Sequence, residues 1–371
     1  MVETVQGARD GDAGRTGTTQ GRTGDGRAGA QVGRMSQRRS GRPTLADVAA
    51  LAGVGAITVS RALRRPDQVS PATRERIAQA VAELNYIPDP QARILASGRS
   101  DVIGVILPSL TNNVYADVLQ GIYDGVAGTG FQIQIGNTRY DPEEEARLAP
   151  LFASQRPAAM LLTGIDQTPA TRALLESAGF PIVQIMEKGD DPIDMIIGFS
   201  HFDAAQAAIR HLLGRGYRRI GVLGARMDPR LMRRQEGWRA ALSEAGLPLR
   251  EAISPEPSSA TMGRALASRL MDAEPGLDAL FCANDDLALG ALFECQARGI
   301  AVPRDFGIVG FNDLEMMAAA VPSITSVQTR RYRMGRLGIE MLVERIAGRR
   351  PAEPNVDLGF ELIERESTRR G

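Results

Sequence analysis

Few residues of this 371-residue chain are spaced for covalent chemistry. The two histidines, His201 and His211, stand ten apart and fit no metal-ligand spacing. Cys282 and Cys295 match no metal motif either, and read as reduced packing residues. Adjacent Asp285 and Asp286 follow an apolar run and raise the prospect of acid–base or magnesium chemistry. Neighbouring carboxylates at a helix start point in different directions, however, and helix N-termini favour acids in any case. No glycine-rich loop followed by lysine supports phosphoryl transfer. A nucleophile, a base and an orienting group do not assemble, so the expectation is a non-enzyme without metal or cofactor.

Two other groups of residues are suited to non-covalent recognition. In "GVGAITVSRAL" (53–63) a glycine turn precedes a short helical run. Arg61 there could bond guanine in bidentate fashion, while Ala56 and Ile57 offer only apolar contact, for instance to a thymine methyl. Thr58 and Ser60 have short hydroxyls suited to phosphate. A solvated helical hairpin would show the same pattern. The second group lies where apolar runs end: Ser109, Thr111 and Asn112, then Thr163, Asn284 with Asp285, and Asn312 with Asp313. Such side chains suit a polyhydroxylated ligand, and Arg234 is the candidate cation for a carboxylate or phosphate. Strand-end capping would place the same residue types there.

The elements that must position these groups differ along the chain. "TLADVAALAG" opens with Thr44 as helix cap and Asp47 three residues on, carries Leu45, Val48, Ala49 and Ala52 on one face, and stops at Gly53. The second helix runs over 56–63. A third, over 72–84, follows Ser70 as cap and Pro71, with Ile77, Ala80, Val81 and Leu84 as its stripe. Two helices on a tight turn, then a third, form the plan of a helix-turn-helix. From Val102 the period changes. Strands are predicted over 102–108, 131–137, 158–164, 181–186, 218–225, 277–284 and 306–311, separated by helical runs such as 115–128, 203–215 and 233–245. That alternation implies parallel sheets wrapped by helices, with ligands beyond the carboxyl ends of the strands.

Charge divides the chain at the same place. Residues 35–99 carry ten arginines against five acids, and residues 100–371 carry 29 basic against 35 acidic groups. An anionic partner is therefore expected for the first part only, although Lys188 is the sole lysine and arginine use is raised throughout. Residues 1–34 are Gly, Arg, Thr and Asp with almost no apolar side chain, and read as disordered. No apolar stretch is long enough to cross a bilayer and no export signal opens the chain, so a cytoplasmic location is expected. "NYIPDPQARILASGRS" (85–100) could fold as a short helix when paired with a symmetry mate, pressing Leu95, with Ala96 beside it, into a minor groove. An inert linker is the alternative.

"TLADVAALAGV…TVSRAL", "VSPATRERI", "ELNYIP" and "IGVILPS" together resemble the LacI family of bacterial transcriptional regulators, from about Pro43 to the C-terminal segment. "PSLTNNVYADVLQGI", "LGAR" and "FCANDDLALGALFECQ" are similar to its gluconate-operon repressor branch. The resemblance implies a disordered extension (1–42), a helix-turn-helix head (43–87), a hinge (88–100) and an effector-binding and dimerisation domain (101–371). That last domain would be a periplasmic-binding-protein-like α/β core of two Rossmann-like subdomains, with the chain crossing near 199, 327 and 355. It also implies a homodimer or tetramer on double-stranded operator DNA, controlled by gluconate, its 6-phosphate or a related aldonate. Another sugar or a keto-acid, a corepressor in place of an inducer, and a solute-binding protein are the alternatives. Carried over residue by residue, Ala56, Ile57 and Arg61 match base-reading positions, Leu95 the minor-groove leucine, and Arg234, Asn284 and Asn312 effector contacts. Phe199 matches an apolar position lining the effector cleft. Many sugar-binding relatives carry aspartate where Asn312 stands, and an amide there would favour an anionic sugar acid. Gly55 departs from the family's usual serine or threonine cap, at a cost of only a few tenths of a kcal/mol, roughly.

Overall fold

The computed structural model describes residues 42–87 and 98–370, and the chain divides into two compact units, Met1–Pro88 and Asp89–Gly371. The expectations for the N-terminal extension and for Leu95 and Ala96 lie outside the described residues.

In the first unit, α1 (Leu45–Ala52), α2 (Ala56–Arg64) and α3 (Pro71–Glu83) enclose a small core of Val48, Ala49, Ala52, Val59, Ala62, Ile77, Ala80 and Tyr86. A complete capping box starts α1: the Thr44 hydroxyl accepts from Asp47 N, and Thr44 N donates to the Asp47 carboxylate at 2.8 Å. Gly53 stops α1 at φ 63°, a backbone angle that side chains disfavour, and the turn sends α2 off at 102°. Gly55 caps α2 without a side-chain bond, so α2 is held by burial of Val59 and Ala62 instead. Ser70 and Pro71 open α3.

The second unit contains two six-stranded sheets. One has the order β11-β5-β4-β3-β1-β2, from β1 (Val102–Leu107), β2 (Gln132–Asn137), β3 (Ala159–Thr163), β4 (Ile182–Ile185), β5 (Met195–Gly198) and β11 (Asn355–Asp357), all parallel. The other is ordered β12-β10-β9-β8-β6-β7, from β6 (Ile220–Ala225), β7 (Glu251–Ser254), β8 (Ala279–Cys282), β9 (Gly307–Asn312), β10 (Thr325–Thr329) and β12 (Phe360–Ile363). Only β12 runs antiparallel to its neighbour. The near-unbroken apolar runs of β1, β3, β6, β8 and β9 follow from burial on both faces. Five strands, β5, β7, β10, β11 and β12, add to the seven apolar runs of the sequence. They are three to five residues long, and β10 ("TSVQT") and β12 ("FELI") mix polar with apolar residues.

The chain passes between the sheets three times: from β5 into α7 (His201–Gly214), from β10 into α12 (Arg331–Ile346), and from β11 to β12. In each sheet the order reverses beside the first strand, β1 or β6, which puts a crevice at the carboxyl ends of both. Close helix contacts stiffen each half. On α4 (Val114–Val126), Gly121 lies against the Tyr332 carbonyl of α12, and Gly335 of α12 lies reciprocally against the Val118 carbonyl. A methyl at either site would meet backbone that cannot step aside. Gly335→Ala is therefore expected to destabilise the core by about 1–3 kcal/mol through overpacking, read as a lower Tm in thermal denaturation.

Candidate functional site

Two surfaces, one in each unit, are built for recognition. On the first, α2 buries Val59 and Ala62 while Ala56, Ile57 and Arg61 face solvent and Thr58 and Ser60 are half-buried. Ile57 is 77% exposed, beside Ala56 and Arg61 on the same outward face. The Thr44 hydroxyl is engaged by Asp47 but remains at the surface.

In the second unit the loops after the strands meet in a cleft of ≈ 600 Å³. Asn112 follows β1 and Tyr140 follows β2, while Arg226, Asn284 and Asn312 end β6, β8 and β9; α8 (Pro229–Glu244) adds Arg230 and Arg234. Of the residues singled out in the sequence, Asn112, Arg234, Asn284 and Asn312 line this cleft. Thr163 lines an adjoining cavity of ≈ 520 Å³, and its hydroxyl donates to the Ile106 carbonyl. Ser109 is a loop brace: its hydroxyl accepts from the backbone N–H groups of Thr111 and Asn112. Phe199 is fully buried, packed on His201 with ring centroids 4.4 Å apart, and supports the floor rather than the wall.

Arg234 is buried, not on a solvated helix face. Its Nε donates to His201 Nδ1 at 3.0 Å, its Nη1 to the Ala283 carbonyl at 2.6 Å, and its plane covers the Phe311 ring at 3.8 Å. Burial pulls its pKa down to about 10, which still leaves the guanidinium charged at neutral pH. Because arginine only donates, His201 Nδ1 must accept, so His201 Nε2 carries the proton and donates to the Met186 carbonyl at 2.9 Å. Burial, reinforced by Arg234, holds the His201 pKa well below its usual value, and the ring stays neutral. Sequence spacing gave no sign of this role, since His201 comes near Arg234 only when α7 and α8 pack together.

The remaining cleft groups divide into engaged and free. Asp285 is fully buried and braces the loop after β9: its carboxylate accepts from Leu314 N and the Ser326 hydroxyl, both at 2.7 Å, and burial pushes its pKa up to about 6. Asp286 accepts from the Ser258 hydroxyl, and Asp228 caps α8 while lying 3.5 Å from Arg230. Among the described residues, no group of three or more His, Cys, Asp or Glu could hold a metal. Asn284 caps α10 (Asp285–Ala297) through Leu287 N, so it is both strand-end cap and cleft wall. Asn312 is different. It sits at φ 113°, is 2% exposed, and its side-chain oxygen has no hydrogen-bond partner. An unpaired buried acceptor costs about 1–3 kcal/mol, a penalty that a ligand hydroxyl would lift.

Contacts across the cleft hold the two halves together. Arg233 of α8 forks onto Asp166, which follows β3, at 2.5 and 3.0 Å, and reaches Glu187, which follows β4, at 3.3 Å. Arg331 bonds the Asp117 carboxylate of α4 at 2.6 Å and also the Asn312 carbonyl. Arg226 stacks on the Tyr140 ring at 4.2 Å, and Tyr140 accepts from Asn112 Nδ2 at 2.8 Å. Burial pushes the Glu187 carboxyl from 4.5 up to about 7. The folded chain thus binds that proton more tightly than the unfolded chain, and ionised Glu187 subtracts stability as pH rises through that window. Glu187→Gln is expected to raise Tm near pH 8 and to leave it unchanged near pH 4, as calorimetric melts at both would show.

Both units match known proteins. Residues 44–89 match the bacterial regulatory proteins of the lacI family, and residues 209–368 match the periplasmic binding protein-like domain. The chain is 40% identical over 333 residues to the HTH-type transcriptional regulator GntR of Pseudomonas aeruginosa, covering 89% of this chain and 97% of that protein. A LacI-family transcriptional regulator from Silicibacter pomeroyi superposes with a TM-score of 0.83 at 33% identity, over 88% of this chain and all of that one. The lac repressor dimer, solved bound to operator and the anti-inducer ONPF, gives a TM-score of 0.75 at 26% identity over 88% of this chain and 99% of its own.

Proposed function

The chain belongs to the LacI family of bacterial regulatory proteins, and from that premise we propose that it is an operator-binding repressor controlled by a sugar acid of the gluconate type. The observation that carries the ligand class is a cation in the cleft that no acid pairs. Arg226, Arg230 and Arg234 converge there; Asp285 and Asp286 are hydrogen-bonded to the protein and Asp228 faces Arg230, which leaves Arg226 with no ion pair among the described residues. The amide of Asn312 stands at the floor without adding a negative charge, and Asn112 and Asn284 supply further polar contacts for hydroxyls.

The working unit in this reading is a homodimer in the cytoplasm, as the lac repressor relative is a dimer on its operator. Each head presents α2 to a major groove, with Ala56, Ile57 and Arg61 at base edges and Thr44, Thr58 and Ser60 toward phosphates. Leu95 and Ala96 of the hinge would add minor-groove contacts near the operator centre. Ligand between the two sheets favours one relative orientation of the subdomains. It changes operator affinity only by as much as it prefers that orientation.

Fluorescence anisotropy on an operator fragment, repeated with gluconate, 6-phosphogluconate, keto-acids and neutral sugars, tests the reading. A shift in operator affinity with an aldonate is the expected result, and its direction distinguishes inducer from corepressor. If a neutral sugar shifts the curve and no aldonate does, the ligand class is wrong. Arg61→Ala is expected to weaken operator binding by about 1–3 kcal/mol and to relax one base position. Equal weakening on random DNA would make Arg61 a phosphate contact instead.

A further inference from the structure

We propose that Arg226 takes the ligand's carboxylate and, stacked on Tyr140, sets the cleft's preference for a sugar acid over the matching neutral polyol. This rests on the reading of the cleft as the effector site, and it assigns the acid end of the ligand to a residue other than Arg234.

The assignment comes from what each arginine already holds. Arg230 lies against Asp228 and is nearly buried, Arg233 is forked onto Asp166, and Arg234 is engaged by His201 and the Ala283 carbonyl. With two of its nitrogens on fixed acceptors, Arg234 cannot turn its fork toward a ligand, and the charge of Arg230 is shared with Asp228 through Nε at 3.5 Å. Arg226 is the one cleft-lining arginine whose side chain has no hydrogen bond or ion pair among the described residues. Its guanidinium lies over the face of Tyr140 at 4.2 Å. Stacking occupies the face of the guanidinium and leaves the N–H groups along its edge free, and that edge matches a carboxylate in bidentate geometry.

The backbone holds this fork in place. Arg226 sits in the left-handed region at φ 53°, its N–H donates to the Ser254 carbonyl, and its own carbonyl accepts from Asp228 N at 2.7 Å. Tyr140 is equally fixed, at φ 64° and with its hydroxyl bonded by Asn112. Arg226 ends a strand of one sheet and Tyr140 follows a strand of the other, so an anion on Arg226 is felt where the two halves meet. The neighbouring acids do not compete for the fork, since Asp228 caps α8 and Asp286 is bonded by Ser258.

The test uses calorimetric titration of the full chain with D-gluconate and with D-glucitol, which carries CH2OH in place of the carboxylate. Arg226→Gln is expected to weaken gluconate about ten- to hundredfold, the loss of a charge-assisted pair, and to weaken glucitol by a much smaller factor. Arg226→Lys should recover part of the loss. Tyr140→Leu, which unstacks the guanidinium but keeps it, should weaken gluconate by a smaller factor. Gluconate binding to Arg226→Gln at the wild-type level overturns the assignment while leaving the sugar-acid reading intact. Wild-type protein that binds glucitol or another neutral sugar but not gluconate overturns the sugar-acid reading itself, and this assignment with it.

Discussion

The second unit depends on the burial of one guanidinium. Removing Arg234 from water costs several kcal/mol, roughly, unless its donors and charge are matched. Matching comes from a single hydrogen-bonded chain: the Met186 carbonyl, the His201 ring, the Arg234 fork and the Ala283 carbonyl. Its links come from the end of β4, the start of α7, the middle of α8 and the end of β8, so it runs from one sheet to the other through a crossing of the chain. Phe199 and Phe311 seal it from below. Neutral His201 is a condition of the arrangement, because a second proton would place two cations 3.0 Å apart.

Such a chain tolerates few intermediate positions. A small rotation of one subdomain breaks a link and leaves a buried donor unpaired, so the alternatives are discrete orientations rather than a continuum. The contacts at the cleft mouth are of another kind. Arg233 with Asp166 is a partly exposed ion pair, of a kind that contributes about 0–1 kcal/mol, while buried Arg331 meets the exposed carboxylate of Asp117. They orient the halves without locking them. A ligand with a few good polar contacts is therefore sufficient to tip the balance.

How much of this was legible in the sequence follows from how local each feature is. The head was readable almost residue by residue, because Thr44, Gly53, Ser70 and Pro71 act on their own helices. Buried strands such as β1 and β6 were readable because burial on both faces makes them continuously apolar. Strands β10, β11 and β12 were not, since their pairing depends on chain that has already crossed between sheets. Within the cleft, Asn112, Arg234, Asn284 and Asn312 were reachable from strand-end position and family resemblance. Arg226, Tyr140 and His201 were not, because their roles exist only where two strand ends or two helices meet. Ser109 and Phe199 lie behind the cleft lining: a polar strand end that braces its own loop, and an apolar residue buried beneath His201.

The head gives the clearest measure of what one unit can achieve. In the operator-binding reading, α2 turns Arg61 toward the bases beside Ala56 and the exposed Ile57. A good bidentate contact discriminates by about 1–3 kcal/mol, and a thymine methyl against isoleucine adds less. Operator recognition requires about 4–10 kcal/mol over non-specific DNA. A single head falls short of that range, and no rearrangement of α2 can close the gap, because Val59 and Ala62 fix which face is turned outward. Doubling the reader through a second copy brings the sum within range, and it does so without any further base contact from either chain. In the operator-binding reading, specificity is thus a property of paired heads, and the lac repressor relative is likewise a dimer on its operator.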